Sequence, residues 1–318
     1  VCDAKEVQFP GAAAAGRRHV GDHAQVRAGY DEDVAVEQDV AAPGVPDGLA
    51  VAGASRGIGR VAAAHILRRS PDAHLLVVTR GTSGTQLATE LAAGGHAVSH
   101  VSADLGSLGS VRAAATEIRG RLGRGDLPPL RGFVGNAGIQ YTNALTEGPD
   151  GFETTFTVNV LANHLFVRLL QDHFAAPGRP RPRGAFPRAD TAVAGGTAYS
   201  TSKLAAIYLV HGYARRLPAG IDAVTYNPGF VPGTGLARHA DPVSRFAMRR
   251  ILPMATLTPF ATGRNAVGRY LADVVLGTTG APTGSYVDRN RVDRSSEESY
   301  DPRREVELWD AAERLTAA

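Results

Sequence analysis

Several features that would place this sequence in a class at once are absent. The only cysteine is Cys2, so no intrachain disulfide can form and nothing points to an oxidising compartment. No apolar run approaches the ~18 residues of a membrane span. No basic stretch followed by an apolar one opens the chain, so a secretory leader is not expected and the cytoplasm is the expected location. Charge imbalance is small: the formal net charge is +3 and the pI about 9.2. That does not call for nucleic acid, and no nucleic-acid-binding motif is present; a phosphorylated cofactor would be a sufficient acidic ligand. No metal site is expected. What remains is a chain of 318 residues, 43% hydrophobic and 20% charged, enough for one large α/β domain or two small ones.

Residues 1–47 carry no sustained period and end in the turn-prone Ala42-Pro43-Gly44-Val45-Pro46. They read as a poorly ordered extension, with the domain proper over 48–318. The pattern changes at Leu49-Ala50-Val51-Ala52, a short apolar strand. It runs into Gly53-Ala54-Ser55-Arg56-Gly57-Ile58-Gly59 and a helix over about 60–69. Strand, glycine turn and helix are the context of a dinucleotide site. Glycines let the backbone approach a pyrophosphate, and a helix N-terminus attracts that anion. The second strand, His74–Thr79, is followed directly by Arg80. An acidic residue at this point would bind a ribose 2′-hydroxyl, whereas an arginine accommodates a 2′-phosphate. Arg80 and Arg56 therefore favour NADP(H) over NAD(H).

Strands and helices continue to alternate. A helix is expected over 85–93, a strand over 96–101, a helix over 108–122, a strand over 131–134 and a long helix over 151–170. Further on come a helix around Tyr199, a strand over 221–226, a helix over 259–276 capped by Thr258, a strand over 284–287 and a helix over 302–315. This predicts an α/β fold, a Rossmann-type doubly wound parallel sheet in a single domain.

The alternation fails at one place. Residues 177–189, Pro-Gly-Arg-Pro-Arg-Pro-Arg-Gly-Ala-Phe-Pro-Arg-Ala, fall where a buried fifth strand is due. Prolines lack a ladder donor, and four arginines do not suit the middle of a sheet. The fifth strand is expected to be disrupted, with poor stability and weak or absent turnover as consequences. The text resembles a GC-rich gene read out of frame, which would make the segment a product of two compensating frame shifts.

Tyr199-Ser200-Thr201-Ser202-Lys203 begins a helix, and positions i and i+4 share a face. A phenol with a pKa of about 10 is a poor proton donor at neutral pH, and an adjacent ammonium lowers that pKa. The pair reads as a tunable acid/base.

Together these residues resemble the short-chain dehydrogenase/reductase family over about 48–318. The resemblance rests on Gly53-x-x-x-Gly57-Ile58-Gly59, Asp104-Leu105, Asn136-Ala137-Gly138, Asn159, Tyr199-x-x-x-Lys203 and Pro228-Gly229, in the family's order and spacing. Arg80, Gly151-Phe152-Glu153 and the tail from Ser299-Tyr300-Asp301 to Leu308-Trp309 are similar to the retinol dehydrogenase and protochlorophyllide reductase branch. The resemblance implies that Gly53, Ser55, Arg56, Gly57, Ile58 and Gly59 hold the cofactor phosphates and that Asp104 and Leu105 flank the adenine. It implies that Asn136, Ala137 and Gly138 line the cofactor and that Pro228, Gly229 and Val231 face the nicotinamide. Tyr199 would exchange the proton, Lys203 would assist it and hold the ribose, and Asn159 would anchor a relay water. The expected activity is NADP(H)-dependent interconversion of a carbonyl and an alcohol on a small apolar molecule, with homo-oligomers possible. The family's serine, about a dozen residues before the tyrosine, is missing: no serine lies between Ser110 and Ser200, and Phe186 and Pro187 stand near its place. Thr191 is the candidate replacement. The competing expectation is an impaired family member that binds nucleotide or a partner.

Overall fold

In the central strands alternate side chains enter two different cores. Ala50, Ala52, Leu76 and Val78 pack on one face of the sheet, and Leu49, Val51, Leu75 and Val77 on the other. A period of two with both faces apolar is what a parallel sheet covered by helices on each side requires. The computed structural model describes residues 48–141, 146–174, 183–187, 197–229, 231 and 262–317, all within one unit spanning Ala41–Ala318. The 1–47 extension, Thr191, the 232–257 loop and Thr258 lie outside the described residues.

The order along the chain is β1 (Gly48–Ala52), α1 (Gly57–Arg69), β2 (His74–Thr79), α2 (Ser83–Ala93), β3 (Val98–Ser102), α3 (Leu108–Gly123) and β4 (Leu130–Gly135). Next come α4 (Thr154–Phe156), a π-helical turn (Thr157–Leu161), α5 (Ala162–Leu170), β5 (Arg183–Pro187), α6 (Thr197–Arg216) and β6 (Asp222–Asn227). The chain then forms α7 (Arg264–Leu276), β7 (Tyr286–Asp288), β8 (Arg291–Asp293) and α8 (Pro302–Thr316). The sheet order is β3-β2-β1-β4-β5-β6-β7-β8, parallel up to β7, with β8 antiparallel. Strand order reverses between β1 and β4, and ligands of doubly wound sheets bind beyond the carboxyl ends of the strands at that point.

The expectation of a lost fifth strand is overturned. Arg183–Pro187 runs parallel to β6 over the whole length, from Arg183 opposite Asp222 to Pro187 opposite Tyr226, and meets β4 at Ala185 opposite Val134. The prolines explain how: Pro182 precedes the strand and Pro187 is its last residue, so neither interrupts the interior positions. Arg183 is its first residue, and Arg179, Arg181 and Arg188 lie outside the described residues. Between two strands whose backbone groups need partners, a five-residue segment is held by its neighbours' ladders rather than by its own propensity.

Other differences are local. Helix α1 begins at Gly57, inside the glycine turn, and α7 begins at Arg264 after Gly263 rather than at Pro259. Strand β8 was not foreseen; it is short, and all of its residues are exposed. Helix α8 starts where expected because Asp301 accepts from the amides of Arg303 (2.9 Å) and Arg304 (3.4 Å), with proline at the first position.

Helix α8 seals the α5–α6 face. Trp309 packs edge-on against Tyr213 (centroids 4.9 Å apart) and His164 (5.4 Å), with Arg216 over its ring at 4.2 Å. His164 is fully buried, and burial first, then Arg168, lowers its pKa to about 3. A Glu313 carboxylate oxygen 3.3 Å from Nε2 would favour the charged ring, but Arg168 takes that same oxygen at 2.8 Å, and desolvation wins. The unfolded chain takes up a proton near pH 6.5 that the folded chain refuses until about pH 3, so the unfolded state binds more protons in that window. Stability should therefore fall on acidification below pH 6.5, by up to about 1.4 kcal/mol per pH unit from this group. Urea midpoints between pH 7 and 4 should fall less steeply for His164→Gln than for the unmodified protein; equal slopes would remove His164 from the acid sensitivity.

Candidate active site

Two clusters form at the carboxyl edge of the sheet. The first joins the ends of β1 and β4. Asn136 Nδ2 donates to the Gly53 carbonyl at 2.9 Å, and the Gly53 amide donates to Val78 O at 3.0 Å. Gly53 has φ +81°, and a Cβ there would stand 2.7 Å from the Ala137 Cα. A Cβ on Gly59 would stand 2.3 Å from Asn136 Nδ2. These two glycines are required by the packing of α1 on the β4 turn. Gly57 differs: its φ is +60°, and a Cβ would meet nothing within 4 Å. The N-terminus of α1 has no side-chain cap on Arg56 and no acidic residue in its first turn. Open space over uncapped helix amides fits a pyrophosphate. Ser55 and Ile58 are half-buried beside it, and Arg56 is exposed.

Arg80 lies at the end of β2 with 71% of its side chain exposed, and its Nη1 donates to Asp104 Oδ2 at 3.3 Å. The other Asp104 oxygen accepts from the Gly106 amide at 3.0 Å, while Ser107, not Asp104, caps α3. Leu105 is buried beneath. Arg80 and Asp104 thus form one rim of the first cluster.

The second cluster holds the expected acid/base pair. Tyr199 and Lys203 are each only 3% exposed, and Lys203 Nζ lies 5.1 Å from the centre of the Tyr199 ring. Asn159 is brought to them by the π-helical turn, whose Ala162 amide reaches back to Thr157 O. The Asn159 side chain is committed. Its Oδ1 accepts from Ile139 N (3.0 Å), and its Nδ2 donates to Ile139 O (3.1 Å) and to Ser202 Oγ (3.0 Å). Both Asn159 δ-nitrogen donors are thus used, and its main-chain carbonyl accepts from Asn163 Nδ2 at 3.1 Å. Ser202 and Asn163 were missed in the sequence. Asn163 stands one turn after Asn159, a spacing that was legible; the Ser202 contact spans 43 positions and had no local signal.

Pro228, Gly229 and Val231 follow β6 on a separate segment. Gly229 has φ +67°, and its amide donates to Asn227 Oδ1 at 3.3 Å. Asn227 also donates to Asp288 Oδ1 (2.7 Å) and accepts from the Arg289 amide (2.7 Å), so the unforeseen β7–β8 turn is tied to this segment. Val231 and Pro228 are buried. Among the described residues no helix is long and apolar enough to cross a membrane.

This sheet order and this pairing of glycine turn with Tyr-x-x-x-Lys define a Rossmann-type oxidoreductase. The short chain dehydrogenase family profile matches residues 49–243, and the chain belongs to that family. It is 31% identical over 284 residues to the candidate daunorubicin C-13 ketoreductase DnrU of Streptomyces sp. (strain C5), covering 82% of this chain and 90% of that one. It is 35% identical over 130 residues to the short-chain dehydrogenase iccH of Talaromyces variabilis, covering 38% of this chain but only 35% of that relative. Among solved structures, the angucycline C-6 ketoreductase LanV with bound NADP superposes with a TM-score of 0.62 at 22% identity, over 76% of this chain and 93% of that one.

Proposed function

We propose that the protein is an NADPH-dependent ketoreductase acting on a ketone of a small apolar molecule. The observation that carries this reading is the buried Tyr199–Lys203 pair, with the Tyr199 backbone carbonyl linked through Ser202 and Asn159 to the segment after β4. A nicotinamide dinucleotide bound here would supply hydride chemistry. Gly53, Ser55, Arg56, Gly57, Ile58 and Gly59 would hold its phosphates; Asp104 and Leu105, its adenine end; and Asn136, Ala137, Gly138, Pro228, Gly229 and Val231, its nicotinamide half. Tyr199 gives its phenolic proton to the carbonyl oxygen, and Lys203 keeps that phenol acidic. The ketoreductase name of the Streptomyces relative supports the reductive direction. Membership of the branch of retinol dehydrogenases and protochlorophyllide reductases is part of the proposal and rests on sequence likeness; of the residues that carry that likeness, Glu153 caps α4, accepting from the Thr155 and Phe156 amides, and Trp309 packs α8 against Tyr213.

NADPH titration followed by a carbonyl panel that includes daunorubicin tests the reading. Oxidation of NADPH by at least one ketone is expected. Tight NADPH binding with no turnover on any carbonyl would favour the second reading, an impaired member, which the absence of serine between Ser110 and Ser200 supports.

The cofactor choice rests on Arg80 and Arg56. A charge-assisted contact to a 2′-phosphate contributes about 1.5–3 kcal/mol, so Arg80→Asp should cost NADPH about 10- to 100-fold in affinity and invert the preference. Equal affinities of the unmodified protein for NADPH and NADH would sink this assignment.

A further inference from the structure

Tyr199 is the third residue of α6, and a first-turn residue needs an anchor if its phenol is to keep one position. The anchor is Ser202, the residue immediately before Lys203 in the motif. Ser202 is fully buried, and its hydroxyl donates to the Tyr199 carbonyl at 2.7 Å while accepting from Asn159 Nδ2 at 3.0 Å. The back-bond to Tyr199 is what a helical serine commonly makes. The bond to Asn159 is different, since it crosses to another element and Asn159 in turn grips both backbone groups of Ile139. A relay of hydrogen bonds therefore runs from the segment after β4, through Asn159 and Ser202, to the backbone of Tyr199.

We infer that Ser202 is a positioning residue: its hydroxyl sets the first turn of α6, and with it Tyr199 and Lys203, against the end of β4. The inference rests on the acid/base reading of Tyr199 given above. Ser202 donates its one hydroxyl proton to Tyr199 O, so it has no proton to offer a substrate and acts only through Tyr199 and Lys203. Removing the hydroxyl leaves a buried Asn159 N–H without its partner, and the asparagine must turn or admit water. Either response uncouples α6 from the β4 end. Displacements on the order of 1 Å at a reacting group cost up to about 10²-fold in rate.

Ser202→Ala should lower kcat by about 10- to 100-fold with the KM for the ketone nearly unchanged, and should shift the limb of the pH–rate profile that reports the acid. Ser202→Thr keeps the hydroxyl and should recover most of the rate. Ala205→Gly loosens the same helix without touching the relay, and should lower Tm while sparing kcat. If Ser202→Ala and Ala205→Gly lose kcat in proportion to their loss of Tm, the role is only structural and the inference fails. Spectrophotometric titration of tyrosine, taken as the difference between the unmodified protein and Tyr199→Phe, isolates the Tyr199 ionisation without turnover. Ser202→Ala should move that ionisation and Ser202→Thr should not. A protein that reduces no carbonyl would refute the proposed function, while this titration still decides the role of Ser202. An unmoved titration in Ser202→Ala would overturn the inference.

Discussion

Tyr199→Phe should reduce ketone turnover by about 10²- to 10⁴-fold, the usual contribution of a positioned general acid. The change removes one oxygen and keeps the ring. Tyr199 is 3% exposed and carries Lys203 over its face at 5.1 Å, and phenylalanine preserves both the packing and most of the cation–ring contact. The backbone carbonyl that receives the Ser202 hydroxyl is untouched. NADPH affinity and Tm should therefore stay near those of the unmodified protein while kcat collapses. Steady-state kinetics with NADPH binding measured in parallel separates the two effects. Turnover that survives the substitution would show that another group delivers the proton.

Gly53→Ala should be strongly destabilising, because it adds both a backbone clash and a strained φ at the glycine turn. The new Cβ would lie 2.7 Å from the Ala137 Cα and 2.8 Å from its nitrogen, contacts with backbone that no rotamer change relieves. The residue also sits at φ +81°, outside the region open to alanine. Overpacking costs about 1–3 kcal/mol and a left-handed backbone about 1–2 kcal/mol, so a loss of about 2–5 kcal/mol is expected in urea unfolding. Gly57→Ala, where a Cβ meets nothing within 4 Å, should lose only the backbone part and yet weaken NADPH binding. Equal destabilisation by the two changes would mean that the β1–β4 contact is looser than its geometry states.

Much of this protein was readable from local patterns because the physics involved is local. The period-two burial of β1 and β2, the turn at Gly53–Gly59 and the shared face of Tyr199 and Lys203 depend on residues within a few positions of one another. Arg80 and Asp104, which follow the second and third strands in the sequence, face each other as an ion pair. What local patterns misjudged was β5. Its proline- and arginine-rich surroundings argue for a loop on propensity alone, and the strand forms because β4 and β6 stand on either side of it.

By itself, then, the sequence determined the family, the doubly wound class and the adjacency of Tyr199 and Lys203, since each is written in spacings that a helix turn or a strand pleat converts directly into geometry. Only the tertiary structure decided that residues 183–187 complete the sheet, that Asn227 ties Asp288 and Arg289 to the Pro228–Gly229 segment, and that Asn159 reaches Ser202. Those contacts join positions far apart in the chain, where a hydrogen bond is settled by which elements fold side by side and leaves no period in the sequence to read.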